Sequence, residues 1–483
     1  MSLDIGTTST RAMVFDQEFN LFGSASEKYP VHSPQPGWAE QDPDEIYEAC
    51  IRSIAGAVLH SGSTPNEIRG IAISSVLHSL FAVDQLGRPL SSMLIWADTR
   101  STACVRIAEE EFGAHEIYRR TGCRVHPMYP LAKVMWFRRE APELFARTSR
   151  FFSIKDYVLF RMTGQVLADV SVASGTCLFN IYTMDWDDDL LGYAGIDRDM
   201  LPQVTDVFEQ VSPLLPEAAS ATGLFSDTPV IIGAADGMLS NIGAGAVEPG
   251  QMSFMIGTSG ALRVFSQAPV LDLPSMRTWC YVFRKGAYVP GGSINNGGIA
   301  LDWVQRVIGE SPDPGREAAS VPPGSEGLIF LPLITGERCP HWRGDARGVM
   351  FGLELAHTRA HFIRAAMEGV IYRMYSVYRA LSEVVGEPEE VRATGGFVNS
   401  PEWVQMAADT LGRPVSVPAE REGSALGAAV VGMAALGAIT GVEEVRNAVT
   451  ITRSVEPDMT RHRIYSEGFS KFEKVYERVS DLF

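Results

Sequence analysis

The apolar positions of the chain follow two rhythms. Short unbroken runs, "IRGIAISSV" at 68–76 and "PVIIGAAD" at 229–236, predict buried strands that end in polar or glycine-rich stretches. Elsewhere the spacing lengthens to three and four. Over 43–62 the apolar residues stand at 46, 50, 51, 54, 57 and 58, which predicts an amphipathic helix. A longer helix is predicted over 358–386, with 362, 363, 366, 367, 370, 371 and 374 on one face, Thr358 capping its start and Gly386 past its end. Strands alternating with helices point to the α/β class.

One stretch fits neither rhythm. From Ser424 to Val442 no residue is charged, a length that suffices for a bilayer span. Its residues are mostly Ala and Gly, with few large apolar side chains. It reads as a buried helix whose small residues let other backbone or a ligand approach closely, so no membrane is expected as a partner.

A repeat overlies this pattern. "DIGTTSTRAMVFD", Asp4 to Asp16, returns as "MIGTSGALRVF", Met255 to Phe265, about half the chain later. After each comes a strand-then-loop unit, "AISSVLHS" in the first half and "RATGGFVNS" in the second. Two homologous domains facing a shared cleft explain the doubling. At 483 residues the chain is long enough for two cores. The change-over is placed in "GAGAVEPGQ" at 243–251, which gives domains 1–245 and 246–483.

Charge and cysteines narrow the partners. A net charge of −17 argues against nucleic acid or anionic membranes, though not against a small anion held by a local cluster of donors. The six cysteines are scattered, with no CxxC pair, as expected of reduced thiols in a cytoplasmic protein. The N-terminus lacks a basic segment followed by an apolar run, so no signal peptide is expected.

A hairpin tipped with Gly, Thr and Ser offers backbone N–H groups and short hydroxyl donors to phosphate oxygens. Asp4, ending a first strand, suits Mg²⁺, directly or through water. A plain structural turn explains "DIGTT" alone equally well, but two copies favour a phosphate gripped from both sides. In "TGGFVNS", Thr394 to Ser400, paired glycines leave room for a flat ring and Asn399 can hydrogen-bond it; a capped helix entry before Pro401 is the local alternative.

In this order the motifs resemble the FGGY carbohydrate kinases, of the actin-like, ribonuclease H-like ATPase superfamily, along essentially the whole chain. "MYPLAKVMWF" (128–137) matches one signature of that family, and "GVMFGLELAHTRAHFIRAAME" (348–368) matches the other, with His361, Ala365 and Glu368 in register. The resemblance implies a two-domain fold, each domain a mixed sheet flanked by helices, and ATP with Mg²⁺ in the cleft between them. It places Thr7, Thr8, Ser9 and Arg11 on the first phosphate loop and Gly257, Thr258 and Ser259 on the second. Gly297 and Gly298 fall beside the nucleotide, and Gly395, Gly396 and Asn399 on the adenosine pocket. Asp236 falls on the catalytic base, a role its strand-end position suits, with a helix N-cap as the alternative. His78, Trp96, Asp98, Arg100 and Lys133 fall on the sugar side. His78 alone reads as a core histidine, and Lys133 suits either an acidic sugar or a buried carboxylate.

Local detail such as "VLHSLFAVD", "IWADTRS" and "ADGMLSNIGAG" is most similar to the gluconate kinase branch, and Gly237 follows the base where xylulose kinases usually carry Asn. That implies transfer of the γ-phosphate to a terminal hydroxyl of a sugar acid. The alternatives are another ketose or polyol, or a non-catalytic binding protein on the same scaffold; a chaperone or filament ATPase ranks last. A homodimer is common among relatives. Two further expectations concern the chain itself. The few residues before Asp4 leave a short first strand that would loosen Asp4 and Thr7, and the loop 335–348 reads as solvated and mobile.

Overall fold

Each copy of the repeat is a β-hairpin whose first strand sits inside a mixed sheet, in a computed structural model that describes residues 1–419, 423–447 and 449–483. The first sheet comprises β1 (Ser2–Ile5), β2 (Ser9–Phe15), β3 (Leu21–Lys28), β4 (Ile71–Ser75), β5 (Gln210–Val211) and β6 (Val230–Ala235), in the order β5-β6-β4-β1-β2-β3. The second comprises β7 (Gln251–Ile256), β8 (Gly260–Val264), β9 (Trp279–Arg284), β10 (Ala287–Ile294), β11 (Glu390–Thr394), β12 (Val415–Pro418) and β13 (Ile451–Val455). Its order is β9-β10-β8-β7-β11-β12-β13.

The two sheets share a kernel. β1 runs antiparallel to β2 and parallel to β4, and β7 runs antiparallel to β8 and parallel to β11. A parallel neighbour requires a long crossover, which is why the apolar run at 68–76 lies far in sequence from β1, and the run at 229–236 far from β4, its own parallel neighbour. β1 is short but paired on both sides, with Asp4 opposite Arg11 on β2 and Ser74 on β4. The expected loosening at Asp4 is therefore absent: ladder bonds hold it from two directions.

The predicted helices form where the patterning places them. α1 (Pro43–Ser61) starts at Asp42, whose side chain accepts from the Asp44 and Glu45 N–H groups, and stops at Gly62 in a left-handed conformation. α2 (Asp236–Gly243) follows β6 directly, so Asp236 occupies the junction of strand and helix. α3 (Gly298–Ile308) begins against the second hairpin, and α4 (Arg359–Val385) is the long helix predicted after Thr358.

The uncharged stretch divides. Its first part is α5 (Gly423–Ala435), which packs on α2 and on β1, β4 and β6 of the first sheet, and a 3₁₀ segment, Val442–Asn447, closes the run. Small residues permit this crossing: a Cβ at Gly427 would collide with the Leu239 carbonyl, and one at Gly243 with the Gly423 carbonyl. Among the described residues no helix is long and apolar enough to cross a membrane. All six cysteines are buried and free.

Candidate active site

The two hairpin tips are pinned by backbone and by neighbouring side chains. In the first, the Gly6 N–H donates to the Ser9 carbonyl at 3.0 Å, and the Tyr29 hydroxyl donates to the Gly6 carbonyl at 2.7 Å. Gln41 Nε2 donates to the Thr7 carbonyl at 2.8 Å and Trp96 Nε1 to Thr7 Oγ1 at 3.1 Å, while Thr8 is exposed. In the second, the Gly257 N–H donates to the Ser259 carbonyl at 2.9 Å. The Gly297 and Gly298 N–H groups donate to the carbonyls of Thr258 and Gly257, at 3.0 and 2.7 Å. A Cβ on Gly297 would lie 2.5 Å from the Ser259 carbonyl oxygen, so only glycine lets α3 start this close to the tip. Gly395 adopts φ +89° at the end of β11, where a Cβ would strike the Ile256 carbonyl. Gly396 and Asn399, just beyond, are exposed.

Between the hairpins stand two carboxylates. Asp4 Oδ1 accepts from Ser74 Oγ at 2.6 Å and Oδ2 from Ser424 Oγ at 2.9 Å, one donor from each half of the chain. Both oxygens keep lone pairs for further contacts. Asp236 is half-buried, and its Oδ1 accepts the Gly237 N–H at 2.6 Å. Burial, and next the negative charge of Asp4, push the Asp236 carboxyl up to about 6.

Behind Asp236 lies a relay that patterning alone did not reveal. Lys155 Nζ pairs with Asp169 at 2.6 Å, Asp169 accepts from the Ser171 hydroxyl, and Ser171 Oγ accepts the Ala235 N–H at 2.8 Å. This buried chain fixes the end of β6, and so the origin of Asp236.

His78 is buried with φ +70°, its Nδ1 donating to the Gly175 carbonyl at 2.7 Å. Burial pushes the imidazole down to about 3, so it is neutral, and the bond to Gly175 makes Nε2 the acceptor nitrogen. Tyr129 and Tyr281 pack edge-on against the ring at 5.0 and 6.0 Å. Trp96 is half-buried between Thr7 and the guanidinium of Arg338, 5.3 Å from its ring centre.

Three residues grouped with the sugar side are committed elsewhere. Asp98 is fully buried and accepts from the Ala39 N–H and from Arg100; Arg100 also pairs with Glu40 at 2.6 Å and lies 3.6 Å above the Trp38 ring. Lys133 directs its ammonium at three backbone carbonyls, those of His78, Leu94 and Ile95, at 2.5, 3.4 and 2.8 Å. An ammonium has three donors, so none is left for an acidic sugar, and the buried carboxylate considered as its alternative partner is replaced by backbone. Burial lowers Lys133 to about 7.

Two cations complete the surroundings. Arg263, on β8, lays its guanidinium against Gly237, where any Cβ would meet it. Arg338 comes from the loop 335–348, whose Cys339, Trp342 and Ala346 are buried and whose Glu337 pairs with Arg373. That loop is anchored through these residues, while Thr335, His341, Gly344, Asp345, Arg347 and Gly348 stay exposed. No short motif marks either arginine.

Among the described residues no three His, Cys, Asp or Glu side chains cluster as an all-protein metal cage. The set that is present suits Mg²⁺ nonetheless, since this ion binds through one or two carboxylates plus phosphate oxygens and water. Asp4, oriented by two serines with lone pairs to spare, fits that pattern.

Two mixed sheets built on one kernel, each presenting a Thr/Ser hairpin toward a pair of carboxylates, define a nucleotide-dependent phosphotransferase. Comparison with known proteins makes the class specific. Residues 1–243 match the N-terminal domain of the FGGY family of carbohydrate kinases and residues 252–436 its C-terminal domain. A gluconokinase of Bacillus subtilis (strain 168) is 38% identical over 469 residues, covering 94% of this chain and 90% of that protein. The crystal structure of a gluconate kinase from Lactobacillus acidophilus superposes with a TM-score of 0.94 at 31% identity, covering 99% of this chain and 97% of that one. A ligand-bound xylulose kinase from Lactobacillus acidophilus gives a TM-score of 0.95 at 31% identity, with 99% of each chain covered. The chain belongs to the FGGY family of carbohydrate kinases, phosphotransferases that use ATP with Mg²⁺.

Proposed function

We propose that the chain transfers the γ-phosphate of ATP to the terminal hydroxyl of D-gluconate, giving 6-phosphogluconate, with Asp236 as the base. The observation that carries the catalytic part is a half-buried carboxylate at a strand end, raised toward neutrality beside a second carboxylate suited to the metal. An Asp near 6 is ionised at neutral pH yet basic enough to take the hydroxyl proton as the oxygen attacks phosphorus. Thr7, Thr8, Ser9 and Arg11 grip phosphate from one side and Gly257, Thr258 and Ser259 from the other. Gly297 and Gly298 line the approach, and Gly395, Gly396 and Asn399 receive the adenosine. Mg²⁺ held through Asp4 would spread the phosphate charge. His78 offers Nε2 to a sugar hydroxyl and Trp96 covers an apolar sugar face. Lys133, Asp98 and Arg100 act as positioning residues that brace the His78 and Trp96 segments. The domains divide near 245, the setting is cytoplasmic, and the choice of gluconate rests on the sequence relatives.

Equal structural likeness to a xylulose kinase sustains a second reading, a ketose substrate. ADP release with gluconate, xylulose, glycerol, ribulose and fuculose separates them. A gluconate-dependent signal that falls about a thousandfold in Asp236→Asn, with ADP binding intact, is the expected result. A signal with xylulose alone overturns the substrate, and an undiminished Asp236→Asn overturns the base.

A further inference from the structure

Arg263 and Arg338 are half-buried cations with donors left unmade. Arg263 Nη1 and Arg338 Nε are buried atoms with no hydrogen-bond partner, and among the described residues neither guanidinium joins an ion pair within 4.0 Å. The one hydrogen bond recorded for either side chain runs from Arg338 Nη2 to the Ile294 carbonyl at 3.0 Å. A buried guanidinium donor left unmade is costly, so its retention calls for an acceptor that the folded chain does not supply.

Their surroundings say which occupant. Both lie in the field of Tyr281; Arg263 lies first in that of the Asp236 carboxylate and also in that of Arg338, while no carboxylate faces Arg338. Arg263 flanks Gly237 next to Asp236, while Arg338 stands over Trp96 and within the field of His78 and His126. The buried lysines nearby are already occupied, Lys133 by three backbone carbonyls and Lys155 by Asp169. The surroundings of the base therefore carry two charges with free donors, one beside it and one over Trp96, near aromatic rings and a neutral histidine suited to hydroxyls. A planar carboxylate with a chain of hydroxyls meets both requirements, because guanidinium and carboxylate pair through parallel hydrogen bonds.

We propose that Arg263 and Arg338 together bind the carboxylate of an open-chain sugar acid and so select aldonates over neutral polyols and ketoses. This rests on the kinase reading above and names the residues that set its substrate class. It also gives Gly237 a function: any side chain there would displace the Arg263 guanidinium.

The test compares gluconate with gluconamide, which is the same size but uncharged, in the full-length enzyme with Mg-ATP. The wild type is expected to favour gluconate by on the order of a hundredfold in kcat/KM, mainly through KM. Arg263→Gln and Arg338→Gln should each erase most of that preference, and Arg338→Lys should restore part of it. Arg338→Gln should also melt at a higher temperature than the wild type when free of substrate, since it removes a charge that no carboxylate faces; an arginine of purely structural use would lower it. An unchanged gluconate-to-gluconamide ratio in both Gln variants sinks this proposal while leaving a gluconate kinase standing. Selective turnover of another sugar acid sinks gluconate and keeps the clamp. Turnover of neutral sugars alone sinks both.

Discussion

The two hairpins are built alike and equipped differently. Asp4-Ile5-Gly6-Thr7 in the first corresponds to Met255-Ile256-Gly257-Thr258 in the second, and each leading residue ends a strand whose parallel neighbour presents a hydroxyl, Ser74 or Thr394. The backbone is the same device used twice: an antiparallel return, a glycine N–H bonded across the tip, a threonine just beyond it. Only the first copy keeps an acid. On the proposed reading, the shared backbone would supply two phosphate grips and the acid of the first copy would hold the metal. The second copy gained in exchange the paired glycines 297 and 298, which bring the start of α3 against its tip.

The largest effect that would break this asymmetry is at Asp4. Asp4→Asn should lower kcat by about a thousandfold, the scale of losing a metal-holding carboxylate, and blunt the response to Mg²⁺. Met255→Leu at the matching position should leave kcat within about twofold. Equal losses at the two positions would mean that the hairpins are functionally symmetric. The same variant reads the field at the base. Asp4 raises the Asp236 carboxyl, so its neutralisation lowers that pKa, and the acidic limb of kcat/KM moves from about 6 toward lower pH. A limb that stays in place would remove Asp4 from the electrostatics of Asp236.

Smaller effects sharpen the shared part. Thr7→Val and Thr258→Val should each raise the KM for ATP by roughly tenfold, as expected for one hydrogen bond to a charged phosphate. Thr7→Val should in addition raise the KM for the sugar, because Thr7 Oγ1 also accepts from Trp96 and Thr258 has no such contact with the sugar side. Identical profiles for both variants would uncouple Trp96 from the phosphate loop.

The hairpins, the alternation of strand and helix, and the small-residue crossing of α2 and α5 were legible because each depends on local rules: turn chemistry, periodicity, and the absence of a Cβ. The strand-end position of Asp236 was legible for the same reason. What escaped was satisfaction. "WADTR" carries an acid and a base in the right place for sugar, yet Asp98 and Arg100 spend their hydrogen bonds on one another, on Glu40 and on Ala39, far apart in sequence. Lys133 looks like a free charge until three carbonyls close around it. Arg263 and Arg338 look like ordinary surface arginines until the fold leaves Arg263 Nη1 and Arg338 Nε buried without a hydrogen-bond partner. Whether a polar group is spent or available depends on contacts between distant segments, which no local pattern encodes.

The smallest effect tests how the two halves are joined at the metal carboxylate. Ser74 and Ser424 each donate to one oxygen of Asp4, at 2.6 and 2.9 Å, but Ser74 is on the adjacent strand and Ser424 enters with α5 from the other half. Removing either hydroxyl forfeits a hydrogen bond worth about 1 kcal/mol net, so Ser74→Ala and Ser424→Ala should each cost about fivefold in kcat/KM for ATP. Their temperature dependence should differ. Ser74 is held by the ladder of its own sheet, whereas Ser424 reaches Asp4 only while α5 stays seated on α2 through Gly427. Loosening that seat with Gly427→Ala should therefore abolish the extra penalty of Ser424→Ala and leave that of Ser74→Ala intact. Additive losses in both double variants would show instead that Ser424 holds Asp4 whether or not α5 is seated on α2 through Gly427.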